Sequence, residues 1–282
     1  MTMPAPNRDT GAVGSLDPDD RRERARGHFN RFWNLIYLGL RKLGVHASSF
    51  YVTVGVFLVV GVLIAILATI GFAELAENVL SGATQAFDVA ILQWLHTHQS
   101  KALTALMVEM TYLGTGTVVI VVVGVAALFL WHTTHKHSAR LLLAATIGNI
   151  LLNGALKLVY HRARPSVFEW GTNAVSSSFP SGHAMSATVV YGTVAYLLMR
   201  LQKHRWAKIL TLLTAVLLIL LVCLTRLYLG VHYPSDVIGG IIVGLAWAAF
   251  CMATLEASLI IARRRAPMEV EEVPAPQELP DV

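Results

Sequence analysis

Residues 207–236 read AKILTLLTAVLLILLVCLTRLYLGVHYPSD. No charge interrupts the run from Ile209 to Thr225, and a helix needs about 20 apolar residues to cross the hydrocarbon core of a bilayer. Arg226, His232 and Asp236 follow at once, so side chains able to do chemistry stand at a membrane boundary. Beside this run at 207–228, five more apolar stretches lie at 49–71, 114–132, 139–160, 184–200 and 236–262. A lipid-exposed segment must satisfy its own backbone hydrogen bonds, so runs of this length form helices. The expected fold class is all-α: a polytopic membrane protein with six transmembrane helices.

The composition of the 282 residues agrees. Hydrophobic residues make up 55% and charged residues only 14%, against about a quarter charged in an ordinary soluble domain. Disorder over most of the chain is excluded by this apolar content. Cys223 and Cys251 are the only cysteines and sit in apolar runs, which removes disulfide frameworks and Cys-based metal sites. The formal net charge of +5 does not indicate a nucleic-acid partner, because the cations flank the apolar runs instead of forming a basic, aromatic-studded patch.

Four segments are expected. Residues 1–28 read as a disordered basic segment, with no apolar run close enough behind it for a cleaved signal peptide. Residues 29–44 read as an amphipathic interfacial helix, with Phe29, Phe32, Trp33, Ile36, Tyr37 and Leu40 on one face. The six-span domain occupies 49–262, and residues 263–282 form a disordered acidic cytoplasmic tail. Within the domain, the mixed stretch 74–112 reads as short helices on the membrane surface. Six spans put both termini on one side. That side then holds 17 of the Lys and Arg residues and the opposite side five. The positive-inside rule makes the richer side the cytoplasm. The protein is expected in the inner (cytoplasmic) membrane.

Four of the five cations on the outer side crowd two short loops: Lys157, Arg162, Arg164 and Arg226. Cations at that depth need a counter-charge or a function, and a phosphate group would supply the counter-charge. Arginine grips two phosphate oxygens and lysine adds a point charge. Ser181, Gly182 and His183 open the fourth span, where free backbone amides bind anions. Two histidines complete the set. Asp236, four residues after His232, can fix the imidazole tautomer and leave the other nitrogen free to attack. His183 can give a proton to a leaving oxygen. The chain direction brings all three clusters to one membrane face, outside the cytoplasm.

Lys157-x6-Arg164-Pro165, then Pro180-Ser181-Gly182-His183, then Arg226-x5-His232-x3-Asp236 together resemble the signature of the type 2 phosphatidic acid phosphatase family. The resemblance covers about Phe87 to Ala262. Its third motif usually opens Ser-Arg and here reads Thr225-Arg226, which keeps the hydroxyl. The resemblance implies His232 as nucleophile, forming a phosphohistidine, with Asp236 orienting it and His183 protonating the leaving group. It implies Lys157, Arg164, Ser181, Gly182 and Arg226 as the residues that hold phosphate oxygens. No metal and no cofactor are expected. The implied substrate is a lipid phosphate or diphosphate: undecaprenyl diphosphate, phosphatidylglycerol phosphate or phosphatidic acid. A lipid phosphotransferase on the same scaffold, a vanadium haloperoxidase and a non-catalytic anion-binding or transport protein are the competing readings. Six spans disfavour the haloperoxidase, and the intact histidines disfavour the non-catalytic protein.

The remaining polar residues have plainer expectations. His132, His135 and His137 read as a solvated loop cluster and His96 and His98 as surface residues. His161 and Arg162 lie inside the first motif, within reach of substrate. Asn149 and Asn153, in the third span, read as polar residues that hydrogen-bond between spans; Asn153, one turn before Lys157, is also within reach to support it. The loop Ser166–Phe179 is placed to shape the approach of a head group.

Overall fold

In the computed structural model, residues 49–170, 172 and 176–265 are described. The expected basic segment 1–28, the interfacial helix 29–44 and the tail beyond Arg265 lie outside them. The described residues hold eight α-helices and no strand. In chain order these are α1 (Ser49–Leu80), α2 (Gln85–Thr97), α3 (Lys101–Thr111), α4 (Gly116–His132), α5 (Lys136–Val159), α6 (Gly182–Leu201), α7 (Arg205–Tyr228) and α8 (Pro234–Arg265). A single 3₁₀ turn, Tyr112–Gly114, joins α3 to α4.

Among the described residues, five helices are long and apolar enough to cross a membrane. α4 is only 17 residues long. It becomes a sixth candidate when joined to Lys101–Gly114, which meets it at a 48° bend. The first apolar run ends later than expected. α1 continues past residue 71 to Leu80 because Phe72, Ala76 and Val79 form a buried stripe at helical spacing, while Glu74 and Glu77 stay exposed. Only residues 85–111 of the mixed stretch therefore form the two short helices, α2 and α3. α8 runs on through Arg263, Arg264 and Arg265.

α6 is the hub. It packs on α4, α5, α7 and α8, and Ala184, Ala187, Thr188, Val190 and Ala195 are buried along its length. The approach of α8 is close because two glycines face α6. A Cβ on Gly240 would stand 2.5 Å from the Ser181 carbonyl oxygen, and one on Gly244 would stand 2.8 Å from the Thr188 Cβ. On α5, Gly148 leaves room for the Trp247 ring, whose Nε1–H donates to the Ala145 carbonyl at 2.8 Å. Outward faces are apolar: Leu63, Ile66 and Leu67 on α1, Val121, Val125 and Leu128 on α4, Leu213, Leu217 and Leu220 on α7 are all exposed. Stripes like these suit acyl chains rather than water.

One end of this bundle gathers the C-termini of α5 and α7 and the N-termini of α6 and α8. The short helices α2 and α3 pack there too, both against α7. Gln99 donates to the Tyr228 carbonyl at 2.7 Å, and the Ser100 amide to the Tyr228 hydroxyl at 3.1 Å.

Candidate active site

All three motifs sit at that end. Local chemistry fixes each. α7 stops at Tyr228, and Gly230 turns the chain with φ +70°, a left-handed conformation that glycine takes without strain. A side chain on Gly230 would also strike the Phe168 ring at 2.4 Å. Pro234 then begins α8, where its missing N–H costs nothing. Asp236 is the third helical residue, and its Oδ2 reaches back to accept the Tyr233 amide at 2.8 Å, one half of a capping box.

That same carboxylate faces His232. Oδ2 lies 3.5 Å from Nδ1, an electrostatic contact longer than a good hydrogen bond. Oδ2 also accepts from the Ser178 hydroxyl. On the other side of the ring, Nε2 is 3.3 Å from Nη1 of Arg164. A guanidinium only donates, so these partners assign the imidazole proton to Nδ1 and the lone pair to Nε2. Burial pushes His232 down to about 4; Asp236 opposes that shift, and Arg164 and Arg226 add to it. At neutral pH the ring is therefore uncharged, the state a nucleophile requires.

Arg164 is held by backbone. Nη1 donates to the Val231 carbonyl at 2.7 Å and Nε to the Ser176 carbonyl at 2.8 Å. Lys157 donates to the Ser176 hydroxyl at 2.9 Å, so the first motif's two cations meet on one serine. Arg226, 3% exposed, donates to the Thr111 hydroxyl at 2.8 Å, while its Nε has no hydrogen-bond partner among the described residues. Lys157, Arg164, Arg226 and His232 all lie within electrostatic reach of His183. The expected residues are thus brought together, with His183 packed against Gly114: a Cβ there would stand 2.9 Å from the imidazole Cδ2.

At the start of α6, the Ser181 amide is taken by the Asp236 carbonyl at 2.9 Å. The amides of Gly182 and His183, first in the helix, have no intrahelical acceptor. The Ser181 hydroxyl is buried without a partner among the described residues. Asn153 does not hydrogen-bond Lys157. Its amide instead sits against Gly182, where a Cβ would lie 3.0 Å from Nδ2.

Arg162 differs most from expectation. It does not stand free for substrate but spans Asp88 at 2.8 Å and Asp236 at 2.5 Å. His161 is exposed beside it. Asp88, Ser178 and Ser235 were not singled out from the sequence. Asp88 shares a helical stripe with the buried Leu92 and Leu95, and an acid on such a stripe was the available signal.

Among known proteins, residues 138–259 match the family model described as the PAP2 superfamily. The chain is 35% identical over 181 residues to phosphatidylglycerophosphatase B of Bacillus subtilis, covering 62% of this chain and 86% of that protein. It is 32% identical over 177 residues to an undecaprenyl-diphosphatase of Sulfolobus acidocaldarius, covering 61% and 80%. The crystal structure of a transmembrane PAP2-type phosphatidylglycerolphosphate phosphatase from Bacillus subtilis superposes with a TM-score of 0.63 at 27% identity. The match covers 72% of this chain and 98% of that one.

Proposed function

Because the chain belongs to the PAP2 superfamily, we propose that it removes the terminal phosphate of a lipid phosphate or diphosphate through a phosphohistidine on His232. It is a membrane-integral phosphoric ester hydrolase. Phosphatidylglycerol phosphate and undecaprenyl diphosphate are the leading substrates, in keeping with the names of its relatives. The observation that carries the reading is the placement of His232, with Asp236 on Nδ1 and Arg164 beside Nε2.

In the first step Nε2 attacks phosphorus and the bond to the lipid oxygen breaks. His183, protonated once the negative charge of the bound phosphate lies beside it, gives that oxygen its proton. In the second step a water attacks the phosphohistidine and returns a proton to His183. Inorganic phosphate leaves and His232 is regenerated. Lys157, Arg164, Arg226, Ser181 and the first amides of α6 hold the phosphoryl oxygens as charge develops. Between α1, α5 and α8 runs an apolar groove of about 650 Å³, lined by Ile66, Phe72, Leu152, Leu156 and Trp247 among others. Leu156 is the neighbour of Lys157, so a chain lying in the groove would deliver its head group to the cations.

Lys157, Arg164, Arg226 and the first amides of α6 would supply the positive charge that a metal ion would otherwise bring to the phosphate, so phosphate release from phosphatidylglycerol phosphate and undecaprenyl diphosphate by the purified protein should persist in EDTA. Vanadate, which takes a five-coordinate form, should inhibit. A strict requirement of the protein for a divalent cation would overturn the histidine mechanism.

The site faces away from the cytoplasm of the inner membrane in this reading, with both termini inside, in line with the asymmetry of 17 cations against five. Cys223 and Cys251 are buried and are replaced first. A cysteine at the exposed Glu169 should then react with a membrane-impermeant thiol reagent in intact cells or spheroplasts. One at the exposed Lys203 should react only after the membrane is opened. The reverse pattern would put hydrolysis on the cytoplasmic face.

A further inference from the structure

Asp236 has two carboxylate oxygens and they serve different groups. Oδ2 faces His232. Oδ1 accepts from Nη1 of Arg162 at 2.5 Å. The other guanidinium nitrogen, Nη2, donates to Oδ2 of Asp88 at 2.8 Å. Asp88 is fully buried, and it also accepts from the Ser235 amide at 2.9 Å and the Ser235 hydroxyl at 2.5 Å. The Ser235 hydroxyl in turn accepts from Nη1 of Arg162 at 2.7 Å. Arg162 lies over the Tyr233 ring with its Cζ 4.3 Å from the centroid, a cation–π contact that fixes the plane of the fork.

Two carboxylates thus share one guanidinium. A lone Arg162 would compensate Asp236 charge for charge and leave little negative field for the imidazole. With Asp88 on the far side of the cation, the three groups sum to one negative charge. Resting on the reading of His232 as nucleophile, we propose that Arg162 and Asp88 are positioning residues of the reaction. Arg162 stops the Asp236 carboxylate from rotating away from His232. Asp88 anchors Arg162 and leaves Asp236 the charge that stabilises His232 as its Nε2 becomes bonded to phosphorus. Asp88 stands on α2, upstream of the segment matched by the family, so this support is built by a part of the chain outside the three motifs.

The test is a mutant cycle on the purified, full-length protein with phosphatidylglycerol phosphate. Asp88→Asn should lower kcat by about 10- to 100-fold, the usual cost of losing a group that orients a reactive one through hydrogen bonds, with KM changed less than about twofold. Arg162→Lys, which keeps the charge but loses the two-pronged fork, should do the same. In an Asp236→Asn background, Asp88→Asn should add almost nothing, because residues acting as one unit are not additive. An equal fold-loss in both backgrounds, or wild-type kcat in Asp88→Asn, would overturn the proposal. If Asp88→Asn does not purify folded, Ser235→Ala removes only the bridging hydroxyl and carries the same cycle. Wild-type kcat in Asp236→Asn alone would instead sink the His232 reading itself.

Discussion

His232→Ala should abolish turnover on every substrate, a loss of at least about 10⁴-fold, as when the nucleophile of a covalent mechanism is deleted. Nε2 is the ring atom that carries a lone pair beside Arg164, and burial keeps it uncharged at neutral pH. His183→Ala should be milder and dependent on the leaving group. Its proton matters most when the departing oxygen is a poor leaving group and least for aryl phosphates or diphosphates. Phosphate release by the two variants, measured on a lipid monophosphate and on p-nitrophenyl phosphate, separates the roles. Equal losses on both substrates in both variants would contradict this division.

Arg226→Ala should cost about 10²- to 10³-fold in kcat/KM, the range seen when one preorganised donor to a developing charge is removed. The side chain is nearly sealed from solvent, and its position is set by Thr111. Its Nε has no partner among the described residues and, in the proposed mechanism, donates to a phosphoryl oxygen. Arg226→Lys should recover only part of the loss, because an ammonium cannot grip two oxygens. Vanadate resembles the transition state more than the substrate does, so its inhibition constant should rise by a factor similar to the fall in kcat/KM. An unchanged vanadate affinity alongside poor turnover would mean that Arg226 only maintains packing.

The helices and the grouping of the three motifs were readable along the chain for a simple reason. An apolar run and a cluster such as Arg226, His232 and Asp236 are local patterns, and strict alternation of direction carries the clusters to one end. What escaped reading depended on distant partners. Glu74 and Glu77 interrupt the hydropathy of α1, yet the helix continues because Phe72 and Val79 meet Phe179, Met185 and Val243. Asp88 and Arg162 are 74 residues apart. Asp88 looked like an ordinary polar residue, and Arg162 like one more cation of the first motif, until α2 was laid against the α8 terminus. Helical spacing left Asn153 open to Lys157 or to a neighbouring span, and the side chain lies against Gly182 of α6. The bend between α3 and α4 likewise cannot be seen from hydropathy, which registers the apolar run and not its direction.

The central position of α6 bears on how this sequence can drift. Its small residues, Ala184, Ala187 and Ala195 among them, are closed in by α4, α5, α7 and α8. Near Ser181 and Thr188 the backbone of α8 lies too close to admit even a methyl group from either facing glycine. Larger residues on α6 need simultaneous change on a neighbour, since a close-packed interior has no spare volume. The outward stripes of α1, α4 and α7 are exposed and apolar, and in a bilayer one apolar residue there replaces another at little cost. Divergence among descendants of this chain should collect on those stripes. Along α6 it should advance in compensated pairs, so the helix that holds Gly182 and His183 is also the one with the least freedom to wander.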